Sequence, residues 1–513
     1  MVHQNYNELA LTPLVKILGK NPNEFQRKDL MKVIEEHNIK QINLHYIGFD
    51  GKLKELKVPV NSYKYAELIL AQGERIDGSS IFKGIIDPSN SDLYIVPIYK
   101  TAFISPFEEN TLGIICRFVD KEGKPAMCSP YNILVEAHKK LEANTNLKLN
   151  VLGELEFYII YDHKDHLFRG IPQRGYHQSS PFVKSRQMLN EMMDIISTIT
   201  ASVKYAHSEV GYIDSLKSTD TEISGKRCEQ YEIEFLPRPI EDMANYIPLA
   251  KWVIRNVAYR WGCTATFTPK LEEGMAGNGL HFHMELVDGK KNIMTNSDGN
   301  LSTQAKKLIG GLLKHAQSMT AFGNSVSSAY LRLVAHQEAP TTVCWSEQNR
   351  AALIRIPLGW NMHEDLAKLV NPYQKDSYEA EIGSRQTVEL RSPDGSAHVH
   401  LLLAAIVCAA IDGLTDENSL AFAEKLHFPK GSNKKPGDYD SLPTSCYESA
   451  EALNNERYLY EKDGLFSKEI INHVIKKLQA EEDNDINNRF SHLTADKRLQ
   501  ATREIMHKDL HKH

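Results

Sequence analysis

The stretch Gly153-Glu154-Leu155-Glu156-Phe157-Tyr158-Ile159-Ile160 is unlike an ordinary core strand. Phe157 to Ile160 has the aromatic and β-branched make-up of a strand, and the segment is too short for a typical helix. Alternate side chains of a strand share a face, so Glu154 and Glu156 project the same way, roughly 7 Å apart. Carboxylates at that spacing repel, and an ionised carboxylate buried alone is costly. Such a strand needs positive charge between its glutamates.

Other segments repeat the oddity. Gln230-Tyr231-Glu232-Ile233-Glu234-Phe235 sets a glutamate among apolar strand residues, and Gly279-Leu280-His281-Phe282-His283 sends two imidazoles to one face. Thr387-Val388-Glu389-Leu390-Arg391 does the same with a glutamate and an arginine. Singly, each reads as a solvated face or a core histidine. Together they read as strands converging on divalent cations. Glutamate oxygens with one histidine suit Mg²⁺ or Mn²⁺, whereas zinc favours more Cys and His. His398 and His400 begin the apolar run Leu401 to Ile411, read as a buried helix. Two residues apart on a helix they point about 200° from each other, so they are structural.

Arg332, Arg350, Arg355 and Arg391 lie in or beside apolar segments. Salt bridging is the plain reading of any one of them. A guanidinium also grips carboxylates and phosphates in a forked geometry. Metals with several arginines make the composition of a phosphoryl-transfer site. No Gly-Lys is followed by Ser or Thr, and Gly277-x-Gly279 lacks a third glycine at the dinucleotide spacing. Any ATP is held chiefly by metal and side chains.

At 513 residues, two or more domains are expected. A net charge of −6 leaves no footprint for nucleic acid, and Leu401 to Ile411 is too short to cross a membrane. Residues 1–20 lack a signal-peptide layout, and seven scattered cysteines without C-x-x-C suggest neither disulfides nor a zinc knuckle. A cytoplasmic protein is expected. Strands over Ile42 to Ile47 and Leu53 to Val58 flank an Asp50-Gly51 turn, and Leu93 to Pro97 and Leu112 to Val119 complete a small sheet region. Turn chemistry near Asp120 to Pro130 divides the chain into 1–120 and 121–513. Helices are expected over Leu134 to Glu142, Met188 to Thr198, Met243 to Trp261 and Gln304 to Thr320, with strands between them, including Ala265 to Pro269. The tail from Glu448 to His513 reads as helical and charged. The pattern is α+β.

These pieces, in this order, resemble glutamine synthetase. Asp77-Gly78-Ser79-Ser80-Ile81 is similar to that family's D-G-S-S-I segment, Glu154-x-Glu156-Phe157 to its E-x-E-F strand, and Gly279-Leu280-His281-Phe282-His283 to its G-[ML]-H-x-H strand. Arg332-Leu333-Val334 with Glu338-Ala339-Pro340, Asn349-Arg350 through Pro357, and Glu389-x-Arg391-Ser392-Pro393-Asp394 resemble three further segments. The resemblance runs from about Gln41 to Gly413.

It implies a small N-terminal β-grasp domain, a larger catalytic α/β domain, and stacked homo-oligomeric rings with each active site between subunits. It further implies that Glu156, Glu209 and Glu232 hold one metal, while Glu154, His281 and Glu389 hold another. By the same likeness His283 and Arg355 contact ATP phosphates, Arg332 and Arg391 grip glutamate beside Gly277, and Arg350 stabilises the phosphoryl group. Glu338 sits on a closing loop, and Asp77 of the adjacent subunit, with Tyr176, binds ammonium and deprotonates it. The implied reaction makes glutamine from glutamate, ammonium and ATP through a γ-glutamyl phosphate. A ligase taking a larger amine, or a non-catalytic ring, are the alternatives.

The likeness has gaps. Gly211 to Glu229 reads as an inserted polar loop, weakening the assignment of Glu209; Ala276 stands where asparagine is common; Glu285 and Thr387 replace a usual serine and arginine; and Ala335-His336-Gln337 replaces Pro-Gly-Tyr. The charged tail does not resemble the usual ending. Tyr439 lies roughly where some bacterial members carry a nucleotidylated tyrosine, in poorly matching flanks.

Overall fold

Strand-forming runs either side of Asp50-Gly51 fold as a hairpin. In the computed structural model, which describes residues 12–162, 168–334, 337, 339–359, 365–376, 385–429 and 436–513, β1 (Gln41–Ile47) and β2 (Leu53–Pro59) pair antiparallel, with Ile47 opposite Leu53. Gly51, at φ +76°, takes the left-handed turn position. With β3 (Glu74–Asp77), β4 (Asp92–Pro97), β5 (Phe103–Ile104) and β6 (Thr111–Val119) they form a sheet of order β2-β1-β6-β4-β3, β5 lying beside β6. β3 and β5 escape sequence reading because they are too short to show a period. The expected turn follows: the Asp120 N–H donates to Lys124 O, and the helix Pro130–Thr145 starts soon after.

The second sheet contains β7 (Lys148–Tyr161), β8 (Val203–Ile213), β9 (Arg227–Phe235), β10 (Arg238–Pro239), β11 (Thr264–Thr266), β12 (Leu280–Asp288), β13 (Lys291–Asn292), β14 (Trp345–Glu347), β15 (Ile354–Ile356) and β16 (Val388–Leu390). Its main path runs β14-β15-β16-β12-β7-β9-β8. One face of β7 carries Gly153, Leu155 and Phe157, all buried, against the helix Ile240–Arg260. A Cβ on Gly153 would meet Ile247 Cδ1 at 2.8 Å, so this glycine lets the helix approach. The opposite face is left to Glu154 and Glu156.

The helix Val399–Thr415 is buried along nearly all its length, as its apolar run predicts. His398 caps it, and His400 Nε2 lies 3.0 Å from Asn245 Oδ1, so both are structural. This helix crosses Thr303–Lys314 where Gly311 faces Gly413, and a Cβ on Gly311 would meet Ala409 O at 2.1 Å. Gly311→Ala is therefore expected to destabilise the fold by about 1–3 kcal/mol, read as a lower melting temperature. An unchanged melting temperature would contradict this close crossing.

Three expectations need correction. The predicted helix Gln304 to Thr320 is two helices, Thr303–Lys314 and Ala316–Gly323, broken at His315. The His315 ring sits between Asp412 and Glu456, at 3.0 and 3.2 Å. The strand predicted over Ala265 to Pro269 stops at Thr266. Gly211 to Glu229 is not simply a polar loop: β8 and β9 extend into it, and Leu216 and Ile223 bury at its tip. Sparse apolar residues there found a core elsewhere in the chain. None of the seven cysteines forms a disulfide. No single helix among the described residues is long and apolar enough to cross a membrane.

Candidate functional site

Strand register assembles the site. Across β7, Glu154 lies opposite His281 on β12 and Glu234 on β9, and Glu156 lies opposite Glu232. One strand further out, His207 on β8 stands opposite Glu232. On the other side His283 faces Glu389 on β16, and Glu389 faces Arg355 on β15. Directly opposed residues share a face, and all of these except the fully buried Glu389 line one cavity of about 870 Å³. Its lining includes Glu154, Glu156, Glu209, Glu232, His281, His283, Arg332, Arg350, Arg355, Arg391, Tyr176 and Gly277.

Glu209 reaches it through a bulge. Register shifts between Ser208 and Tyr212, so Glu209, Val210 and Gly211 oppose only Gln230. A Cβ on Gly211 would meet Tyr158 Oη at 2.1 Å, which reserves the bulge for glycine. Beyond the bulge the strands pair again, Tyr212 with Glu229 and Ile213 with Cys228, so the extra length projects as a hairpin and Glu209 keeps its place beside Glu232.

The carboxylates form two electrostatically different halves. Glu154 accepts from both imidazoles, His281 Nδ1 and His283 Nε2, each at 2.9 Å. Glu389 is fully buried, with Arg355 Nη1 donating at 2.7 Å and Arg391 Nη1 closer still. Against the cost of burial, the imidazoles hold Glu154 well below its usual range, and His283 with Arg391 lowers Glu389. Burial, then Arg391, depresses His281 to about 4. In the other half burial and mutual repulsion outweigh the pull of Arg332, Arg391 and Arg350. Burial, followed by repulsion from Glu156, pushes Glu209 up to about 7. Burial and the charges of Glu154 and Glu156 push Glu232 well above its usual range, and burial raises Glu156 too.

Two groups have ligand atoms within 4.8 Å of one another: Glu154, His283 and Glu389, and His207, Glu209 and Glu232. Each differs by one member from the set implied by the resemblance, with His283 in place of His281 and His207 in place of Glu156. Crowded carboxylates with one imidazole per group fit hard divalent cations. The raised carboxylates of the second group are what such a cation would relieve.

Backbone groups aim the arginines. Arg332, 4% exposed, donates to Ser392 O at 2.9 Å and Arg391 O at 3.2 Å, and meets His281 Nε2 at 3.2 Å. Arg391 Nε donates to Arg350 O at 3.0 Å, while Arg350 itself is exposed at the rim. A Cβ on Gly277 would meet Pro269 O at 2.5 Å and Arg332 Cγ at 2.9 Å, so only glycine lets this loop lie on Arg332. The Tyr176 ring stacks on His177 with centroids 4.1 Å apart and meets His207 edge-on.

Two expected residues stand apart. Asp77 is outside this chain's cavity lining, capping the short helix Gly78–Ile81. Hydrogen bonds from Ser80 and Ser79 hold its carboxyl well below the usual range. Glu338 lies outside the described residues. The departures from pattern acquire partners: Thr387 Oγ1 sits 3.0 Å from His283 Nδ1, and Glu285 accepts from Asn150 and Asn292 at 2.9 and 2.6 Å. Tyr439 is buried, its hydroxyl donating to His427 O at 3.0 Å, so it is poorly presented for modification. Sequence reading missed His207 and Lys204, which donates to Glu234 at 2.6 Å. For His207 the signal was the alternation Tyr205, His207, Glu209 running into the bulge; Lys204 falls outside it.

Comparison with known proteins gives a consistent picture. The family model described as glutamine synthetase, catalytic domain, matches residues 127–496, and that described as glutamine synthetase, beta-grasp domain, matches 38–121. The glutamine synthetase of Thermotoga maritima is 28% identical over 436 residues, covering 83% of this chain and 90% of its own. The 3-hydroxylaminophenol mutase of Cupriavidus pinatubonensis is also 28% identical, covering 88% of this chain and 95% of its own. A solved glutamine synthetase of Plasmodium falciparum superposes with a TM-score of 0.70 at 21% identity, over 92% of this chain and 98% of its own.

Proposed function

The chain belongs to the glutamine synthetase family, and from that premise we propose that it is an ATP-dependent ligase joining glutamate to ammonia through a γ-glutamyl phosphate. The observation that carries this reading is the single cavity where cation-demanding carboxylates meet guanidiniums fixed by the backbone. Glu156, Glu209 and Glu232, with His207 beside them, would hold one Mg²⁺ or Mn²⁺. Glu154, Glu389 and the pair His281 and His283 would hold the second. The bound cations would offset charge on the ATP phosphates.

Within that frame, Arg332 and Arg391 grip the carboxylates of glutamate, while His283 and Arg355 contact the nucleotide. A γ-carboxylate oxygen bonds to the γ-phosphorus as the bond to ADP breaks, and Arg350 balances the charge in flight. Ammonia then displaces phosphate from the acyl carbon. The acyl phosphate is open to hydrolysis, which gives a closing loop with Glu338 its purpose. Asp77 of a neighbouring subunit, with Tyr176, holds the ammonium, and its carboxylate takes the proton that must leave before attack. This division of labour implies a homo-oligomer of stacked rings. We place the domain boundary in the 120–130 turn and the enzyme in the cytoplasm.

A larger amine is the second reading, favoured by the rings of Tyr176, Tyr205 and His207, which line the cavity, with His177 packed on Tyr176 and His207. Phosphate release with ATP, Mg²⁺, glutamate and either ammonium or a panel of amines separates the readings. Ammonium is expected to be the best acceptor. Faster release with a larger amine would transfer the assignment to it, and no release with any amine would overturn both enzyme readings, leaving a non-catalytic ring.

Metal removal should reveal the proton-hungry half. Glu209 has a folded pKa of about 7, above its unfolded value, so its stabilising contribution is complete below about pH 4.3 and is lost as pH rises through 7. In chelator, the melting temperature is expected to fall between about pH 5 and pH 8, with at most about 4 kcal/mol from Glu209. Saturating Mg²⁺ should flatten that slope. Equal slopes with and without Mg²⁺ would refute cation binding at Glu209 and Glu232.

A further inference from the structure

The 211–229 hairpin and the helix Ala495–His507, which lies almost wholly beyond the residues matched by the family model, meet behind the cavity. His507 joins them. Its Nε2 lies 2.9 Å from Leu271 O and its Nδ1 2.9 Å from Ser218 Oγ. A carbonyl only accepts, so Nε2 carries the proton; in the neutral ring Nδ1 then accepts from the Ser218 hydroxyl. Around this link Leu216 and Ile223 of the hairpin, Leu510 of the tail and Leu271 pack in one small core with Tyr158 and Ile160. The face of β7 that carries Glu154 and Glu156 thus turns apolar two residues later.

Further bonds tie the tail to the segment 266–272. Thr266 Oγ1 donates to Leu510 O at 2.9 Å, Thr268 Oγ1 to Met506 O at 3.1 Å, and Arg503 Nε to both Glu272 oxygens at 2.9 and 3.1 Å. The loop that follows brings Gly274, Met275, Ala276 and Gly277 to the cavity wall, where Gly277 lies on Arg332. Tyr158 Oη donates to Ala276 O at 2.8 Å, and Lys270 Nζ donates to both Met275 O and Gln337 Oε1. Two segments foreign to the family pattern are therefore coupled to a wall of the site.

We propose that the C-terminal helix and the 211–229 hairpin, linked through His507 and Ser218, form a positioning strut that sets loop 271–278 and with it the cavity's affinity for its amino-acid substrate. Naming that substrate as glutamate rests on the ligase reading; the strut itself does not. Full-length protein is compared with Arg503→Ala, Arg503→Lys and Ser218→Ala by amide hydrogen exchange and by steady-state phosphate release. Exchange in 271–278 is expected to quicken in Arg503→Ala while Val399–Thr415 stays protected. The glutamate KM should rise roughly fivefold, with kcat and the ATP KM within about twofold, and Arg503→Lys should recover part of the loss. Ser218→Ala removes one hydroxyl from a surface hairpin and should move the same readouts less, in the same direction. Unchanged exchange in 271–278 in both alanine variants would overturn the strut, as would a uniform loss in all three kinetic constants. If the parent protein releases no phosphate with any amine, the ligase reading fails, and loop exchange alone decides the strut.

Discussion

Glu156→Ala is expected to lower ATP-dependent phosphate release by roughly a thousandfold or more while the protein remains folded. Glu156 sits beside Glu209 and Glu232, and burial raises its pKa against the lowering pull of Arg332 and Arg391. Its carboxylate accepts from Gly279 N at 2.8 Å and from Gln230 Nε2 at 3.3 Å. Alanine forfeits those bonds but also removes a charge that Glu209 and Glu232 feel as repulsion. The two effects on stability oppose each other, so the melting temperature without metal should change little. On the proposed assignment catalysis has no such compensation, because the divalent cation would lose an oxygen donor and neutralising charge together. Turnover near the parent rate would refute the metal assignment of Glu156.

The largest effect on stability is expected at Glu389. Its carboxylate is completely buried, between Arg355 Nη1 at 2.7 Å and the closer Arg391 Nη1, with His281 and His283 at 3.8 and 3.9 Å. Glu389→Ala would leave two guanidiniums confined without their anion. Breaking a buried pair by removing one partner costs about 3–5 kcal/mol, and here one carboxylate serves two cations. A clear fall in melting temperature should accompany lost activity, in contrast to Glu156→Ala. Glu389→Gln keeps the shape and an acceptor oxygen and should fall between parent and alanine. An alanine variant as stable as the parent would show that Arg355 and Arg391 find other anions and that Glu389 is not their organiser.

Much of the site was legible before folding because strands have a period of two. The pairs Glu154 and Glu156, His281 and His283, and Glu389 and Arg391 each announce a polar face on a strand otherwise built for the core. His398 and His400 were separable from them because a helix sends such neighbours apart, and the helix Val399–Thr415 does so. His207 was harder. It precedes a bulge, where the period breaks, and only pairing with β9 places it beside Glu232.

The chain's own alternation determined that several strands would each offer carboxylate, imidazole or guanidinium to one side, and the order of those strands carried the family. Register, bulge and packing decided the rest: which glutamates are neutralised by His281, His283, Arg355 and Arg391, and which are pushed above their usual range by burial and mutual repulsion. The same holds for Ser218 and His507, 289 positions apart yet hydrogen-bonded. Periodicity is local and survives in a string of letters. Charge compensation depends on distances between segments remote in sequence, and those distances exist only once the sheet has closed.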